Sequence, residues 1–155
     1  MSRRFESSLD GSALRVGVVV SRFNGVVTEQ LLEGALDCLR RNGVADKHIE
    51  VASVPGAFEL PLVAALMAAS GRVDAVVCLG AVVKGETPHF DMIAQWVVSE
   101  IGRLSVAHRV PMALGVLTTN SIEQALERAG GRHGNKGCDA ALAAIEMANL
   151  ARQVV

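Results

Sequence analysis

The sequence predicts an α/β domain: a parallel sheet lying between layers of helix. Two observations carry this. Four short, valine-rich runs are apolar at successive positions, as strands covered on both faces must be. Helical patterns fill the intervals, so the order reads β-α-β-α-β-α-β-α-α, which implies right-handed crossovers.

The first strand is expected at Arg15–Val20. The helix after it, Val26–Asn42, carries Leu32, Leu36 and Leu39 on one face. Glu33, Asp37, Arg40 and Arg41 lie elsewhere, and Asn42-Gly43 is a C-terminal stop. A second strand, Ile49–Val54, leads to helix Glu59–Ser70, closed by Gly71. The third strand, Ala75–Gly80, precedes helix Pro88–Ala107, and the fourth is Pro111–Thr118. Helix Ser121–Ala129 has Asn120 or Ser121 as its N-cap, with Glu123 or Gln124 three residues on. Gly137–Gln153 is the last helix. Residues 1–13 form an N-terminal arm and 14–155 one domain, with no repeat or linker.

A chain of 155 residues can bury a core without staples. Its net charge of -1 gives no electrostatic reason to expect nucleic acid or an anionic membrane. The apolar runs break well short of a membrane span. MSRRFESSLDGS has no apolar stretch of the signal-peptide kind. Cys38, Cys78 and Cys138 are odd in number and far apart. They are therefore expected to be reduced thiols in a cytoplasmic protein, with neither a disulfide framework nor a structural zinc site. Mean hydropathy is +0.34 although aromatic residues make up only 3%. The apolar mass is Ala, Val and Leu. That surplus suits either burial against other copies or a simple alanine-rich core.

In sheets of this kind ligands gather beyond the carboxyl ends of the strands. The richest such segment is Gly80–Phe90. A turn bearing Gly85 leads to Thr87 as N-cap and Pro88 at the first helical position. The N–H groups of Gly85, Glu86 and Thr87 would converge on an anion such as a phosphate, with Lys84 nearby. The spacing matches neither nucleotide-binding glycine motif. An ordinary, well-capped turn fits the same residues. His89, in the first turn, is either a proton shuttle beside that anion or a packing histidine. Phe23 and Asn24 follow the first strand, where a ring can stack on a planar ligand and an amide can pair with it; Phe23 could equally cover the sheet edge. Phe58 and Glu59 open the second helix. Arg128 ends the fourth helix, a place that favours a cation in any case. Gly130–Gly137 is a glycine-rich loop that binds an anion or merely connects.

Taken together, these segments resemble the lumazine synthase family. The carrying strings are SRFN at Ser21–Asn24, VPGAFELP at Val54–Pro61 and LGAVVKGETPHFD at Leu79–Asp91, then GVLTTNSIEQALERAG at Gly115–Gly130 and HGNKG at His133–Gly137. The resemblance implies a flavodoxin-like three-layer αβα sandwich around a four-stranded parallel sheet. It implies condensation of 5-amino-6-(D-ribitylamino)uracil with 3,4-dihydroxy-2-butanone 4-phosphate, without cofactor or metal. Phe23 would then stack on the pyrimidine, and Ala57, Phe58, Ala81, Val82 and Val83 would meet its edges. Asn24 and Glu59 would hold the ribityl chain. Gly85, Glu86 and Thr87 would take the phosphate, with Lys136 near and Arg128 arriving from a neighbouring subunit. His89 would transfer protons.

One position departs from the family pattern. Leu114 stands where a phenylalanine is usual, in the wall a neighbour supplies. The resemblance also implies pentamers, and the short HGNKG loop fits members that close into an icosahedral shell of twelve pentamers, able to enclose riboflavin synthase. The arm, at Phe5–Asp10, would add a strand to a neighbour's sheet. The rival readings are a non-catalytic lumazine- or flavin-binding protein and a shell protein of the same fold.

Overall fold

A computed structural model describes residues 1–86 and 88–155. Thr87, predicted as a helix cap and phosphate contact, lies outside the described residues. Four strands, β1 (Val16–Ser21), β2 (Ile49–Val54), β3 (Ala75–Val83) and β4 (Met112–Thr119), form a parallel sheet in the order β2-β1-β3-β4. Helices α1 (Gly25–Arg41) and α5 (Lys136–Val154) cover one face, with the short α4 (Ile122–Glu127). Helices α2 (Leu60–Ala69) and α3 (His89–His108) cover the other. This is the flavodoxin-like three-layer sandwich that the resemblance implies.

The two-residue period of a strand explains why the central strands are apolar throughout. Val16, Val18 and Val20 of β1 and Val77 and Leu79 of β3 face Leu31, Ala35 and Leu39 of α1 and Ala141 and Ile145 of α5. Val19, Val76 and Cys78 alternate to the other face, against Leu60 and Met67 of α2 and Val97 and Ile101 of α3. Leu31, Leu39 and Ile145 are fully buried. Each contributes about 1.5–3 kcal/mol by leaving water.

Several expectations are corrected. β3 runs three residues past Gly80, because Ala81, Val82 and Val83 keep register with Leu117, Thr118 and Thr119 of β4. β2 is not covered on both faces: it is an edge strand, and Val51 is 48% exposed. The buried stripe of α1 is Val27, Leu31, Ala35, Cys38 and Leu39, so Leu32 and Leu36 flank it rather than centre it. Pro88 occupies the cap position of α3, and the helix starts at His89. Of the two caps expected for α4, Ser121 is the one used: its side chain accepts from Gln124 N at 3.1 Å, while Gln124 Oε1 accepts from Asn120 N at 2.9 Å. The glycine-rich loop is not plain coil. It folds into an antiparallel hairpin of β5 (Ala129–Gly131) and β6 (Gly134–Asn135), with Gly130 and Gly134 at positive φ.

Small residues let α1 and α5 pack closely. A Cβ on Gly137 would collide with Leu31 O, and one on Gly34 with the Asn135 carboxamide. Along this seam the structure joins Cys38 to Cys138, 100 residues apart, against the expectation of three free thiols. Their Cα atoms lie 5.4 Å apart, a separation a disulfide spans. Sequence spacing says nothing about a pair brought together by helix packing. Cys78 stays a buried thiol, and burial pushes its pKa up to about 12.

At the amino end of the sheet Asp74 gathers the termini of the fold. It accepts from Arg15 N at 2.8 Å and pairs with the Arg15 and Arg152 guanidinium groups at 3.4 and 3.2 Å. Partial burial raises its pKa, but these partners together outweigh that and hold the carboxyl below the ordinary aspartate range. Residues 1–10 are exposed and without regular structure. They lie along α5, where Asn149 Nδ2 donates to Ser8 O and Asp10 O at 2.8 and 2.9 Å. No helix among the described residues is long and apolar enough to cross a membrane.

Candidate active site

In the order β2-β1-β3-β4 the chain passes from β1 to β2 on one side and then crosses from β2 to β3 on the other side of β1, so a crevice opens at the carboxyl ends of β1 and β3. A cleft of about 370 Å³ occupies it. Phe23, Asn24, Ala57, Phe58, Glu59, Ala81, Val82, Val83, Gly85 and His89 all line this cleft, so ten of the predicted site residues meet at one place.

Local structure explains how they meet. Arg22 N and Phe23 N donate to Val54 O and Pro55 O at 2.8 and 3.0 Å, tying the end of β1 to the end of β2. Asn24 adopts a left-handed conformation, φ 61°, which turns the chain sharply into α1. Asparagine tolerates that region better than most residues. Its Nδ2 donates to Ala81 O at 2.9 Å and so fastens the β1 turn to β3. Ala57, Phe58 and Glu59 form a 3₁₀ turn just before α2 rather than the first turn of the helix.

The aromatic residues of this cleft are poorly covered. Phe23 is 71% exposed and Phe58 is 57% exposed. A single chain of this size seldom leaves two rings so bare without a ligand or partner to meet them. Phe58 is backed by Trp96, with ring centroids 5.4 Å apart and Trp96 Nε1 donating to Phe58 O at 3.3 Å. Sequence reasoning missed Trp96. The signal was there, since it is the chain's sole tryptophan, on the helix that begins at His89. Phe90 and Ile93 of the same helix complete the apolar wall.

Leu114, Arg128 and Lys136 are not in this cleft. They line a second one, of about 660 Å³, on the β4 side of the sheet, together with Gln124, His133 and Asp139. Its two cations share one backbone rung: Lys136 N donates to Arg128 O at 2.8 Å. Arg128 caps α4, and its Nη1 donates to Gln124 O at 3.2 Å. His133 faces Glu127 at 3.6 Å, and its backbone N–H donates to Glu127 O at 2.7 Å. Leu114 is half-buried at this sheet edge. Glu86 and Lys84 are exposed on the turn after β3 and line neither cleft. Among the described residues, no group of three His, Cys, Asp or Glu side chains is arranged to hold a metal.

The family model for 6,7-dimethyl-8-ribityllumazine synthase matches residues 13–152. The chain belongs to that family. It is 52% identical over 153 residues to the 6,7-dimethyl-8-ribityllumazine synthase of Desulfatibacillum aliphaticivorans, a match covering 99% of both chains. The two clefts are therefore features of a lumazine synthase family member, and the matched span includes every residue that lines them. Within it, Leu114 has a physical setting. Gly115, next to it, faces Leu79 and Ala140, where a Cβ would approach Leu79 Cδ2 to 2.6 Å. Position 115 must be small, and Leu114 alternates to the opposite face.

Proposed function

We propose that this chain condenses 5-amino-6-(D-ribitylamino)uracil with 3,4-dihydroxy-2-butanone 4-phosphate to give 6,7-dimethyl-8-(D-ribityl)lumazine, phosphate and water. That is the penultimate step of riboflavin biosynthesis. The observation that carries it is the division of the site: an aromatic cleft suited to a flat pyrimidine, and a separate cationic cleft suited to a phosphate, on one chain of this family.

In this reading the pyrimidine stacks on Phe23, with its edges against Ala57, Phe58, Ala81, Val82 and Val83. Asn24 and Glu59 hold the ribityl chain. The substrate phosphate rests on the turn of Gly85, Glu86 and Thr87. Arg128 and Lys136 close over it from a neighbouring subunit, whose Leu114 completes the wall. The uracil amine attacks the ketone, and loss of water gives an imine. Phosphate then leaves, an enol forms, and the ribityl-bearing nitrogen closes the ring with loss of water. The substrate brings its own nucleophile, so the protein's contributions are orientation and charge stabilisation. His89, at the cleft wall, moves the protons.

The remaining parts follow the same reading. Pentamers bring the two clefts of adjacent subunits together. The short His133–Gly137 loop fits closure of pentamers into an icosahedral shell, with riboflavin synthase as a fitting cargo. The arm of residues 1–13 leaves its own α5 to pair with a neighbour's sheet, and the protein works in the cytoplasm. A non-catalytic binder would have no use for His89 beside a two-cation cleft. Turnover of both substrates to a lumazine chromophore, followed with light scattering of the same sample, tests activity and assembly together. A shell-sized particle that binds the pyrimidine but makes no lumazine would contradict the enzymatic reading.

A further inference from the structure

We propose that Asn135, seated on Gly34, is the positioning residue that sets the geometry of the Arg128–Lys136 pair. The proposal rests on reading that pair as the phosphate end of the site. Asn135 engages both ends of its carboxamide. Its Oδ1 accepts from Gly137 N at 2.8 Å and Cys138 N at 3.2 Å, capping α5, and its Nδ2 donates to Gln30 O on α1 at 3.1 Å. Its backbone pairs with Ala129 in the β5–β6 hairpin. The residues flanking that pair are Arg128 and Lys136, joined by the 2.8 Å bond from Lys136 N to Arg128 O. Both cations therefore hang from a rung whose other anchor is α1.

The fit depends on what α1 lacks. A side chain at Gly34 would displace the carboxamide of Asn135. The hairpin would then lift off α1, taking its cations with it. Other capping residues do not replace asparagine. Serine and aspartate can cap α5, but serine is too short to reach Gln30 O and an ionised aspartate has no hydrogen to donate. Aspartate would also place a negative charge next to Lys136. Asn135 touches neither cleft itself, since it is absent from the walls of both.

The test uses the assembled enzyme, with Asn135→Ser, Asn135→Asp and Gly34→Ala compared with Arg128→Ala. Steady-state kinetics are run in each substrate separately, with inorganic phosphate as an inhibitor. Displacing a positioned group by about 1 Å costs up to about 100-fold. We expect KM for the butanone phosphate and Ki for phosphate to rise about tenfold in all three variants, with KM for the pyrimidine within about twofold of the parent. In an Arg128→Ala background, Asn135→Ser should add little, because the two act through one contact. Full additivity there would overturn the proposal, as would an equal rise in both KM values or an unchanged phosphate Ki. Gly34→Ala leaves the carboxamide chemically intact, so it keeps the test decisive where an Asn135 variant assembles poorly. If Arg128→Ala itself left phosphate inhibition untouched, the reading of the cationic cleft would fail. If only the Asn135 and Gly34 variants were silent, the positioning role alone would fail.

Discussion

The two clefts of this molecule are built on opposite plans. The aromatic cleft sits at the carboxyl ends of β1, β2 and β3, and its parts are fastened to the sheet by backbone bonds and by Asn24 Nδ2 on Ala81 O. The cationic cleft lies beyond the edge strand β4, and its charges hang from a helix cap and a small hairpin. The first plan suits recognition of a rigid, flat shape, where a misplaced ring loses its contact area. The second suits recognition of charge, which needs long cationic side chains carried on a rung that sets where they stand. The first holds the exposed rings with Glu59 and His89, and the second holds Arg128 and Lys136.

The sharpest way to break this comparison is to remove charge from the second cleft alone. Arg128→Ala should lose about 2–4 kcal/mol of transition-state stabilisation, as expected if the ion pair that Arg128 forms with the substrate phosphate in the proposed closed site loses one member. Pyrimidine binding should hardly change. A fall in kcat/KM of less than threefold, with assembly intact, would remove Arg128 from the phosphate clamp.

A change remote from both clefts should affect neither. Asp74→Asn weakens the pin between Arg15 and Arg152 at the opposite end of the sheet. It should destabilise the fold by about 1–2 kcal/mol near neutral pH, as for a partly buried charge-assisted hydrogen bond. The Asp74 pKa is depressed in the folded state, so its stabilisation is complete above the ordinary aspartate value of about 4 and fades as pH falls below it. Thermal unfolding of both proteins should therefore differ at pH 7, and the gap should close as pH falls below the ordinary aspartate range. A gap that widened on acidification would contradict the assignment.

The smallest expected effect concerns the wall between the clefts. Leu114→Phe supplies the ring that the resemblance leads one to expect there. It should tighten binding of a ribitylated pyrimidine analogue by about 0.5–1.5 kcal/mol, the usual worth of an added aromatic contact. Calorimetric titration reads this directly, and weaker binding with an unchanged oligomer would show the wall already full.

The central strands were legible because they are apolar at every position, and Ser21–Asn24 and Pro55–Glu59 because they follow strand ends. The extension of β3 was not. Glycine at position 80 reads as a stop, whereas the register with β4 carries the strand on to Val83. The hairpin at Ala129–Asn135 was hidden in the same way, since its glycines suggest coil while its pairing depends on α1 and α5 closing over it. The Cys38–Cys138 join was invisible, being a product of helix packing. Arg128 and Lys136 were legible from the residues alone only as cations near a loop; the resemblance set Arg128 apart from its own chain's His89, and the folded chain puts Lys136 with Arg128 in the second cleft. Their separation from His89 is a property of topology, not of spacing along the sequence.

The claim that the two clefts complete each other across subunits is tested most directly by mixing two crippled variants. His89→Ala disables the aromatic side and should lower kcat by roughly 10- to 100-fold; Arg128→Ala disables the cationic side. Co-expressed in equal amounts and assembled together, they would place an intact aromatic cleft beside an intact cationic one at about a quarter of the interfaces in a ring of heterologous contacts. The mixed particle should then recover about a quarter of the parent's specific activity. A mixed particle no more active than the average of its two components would show that each subunit carries its whole site, and would contradict the account.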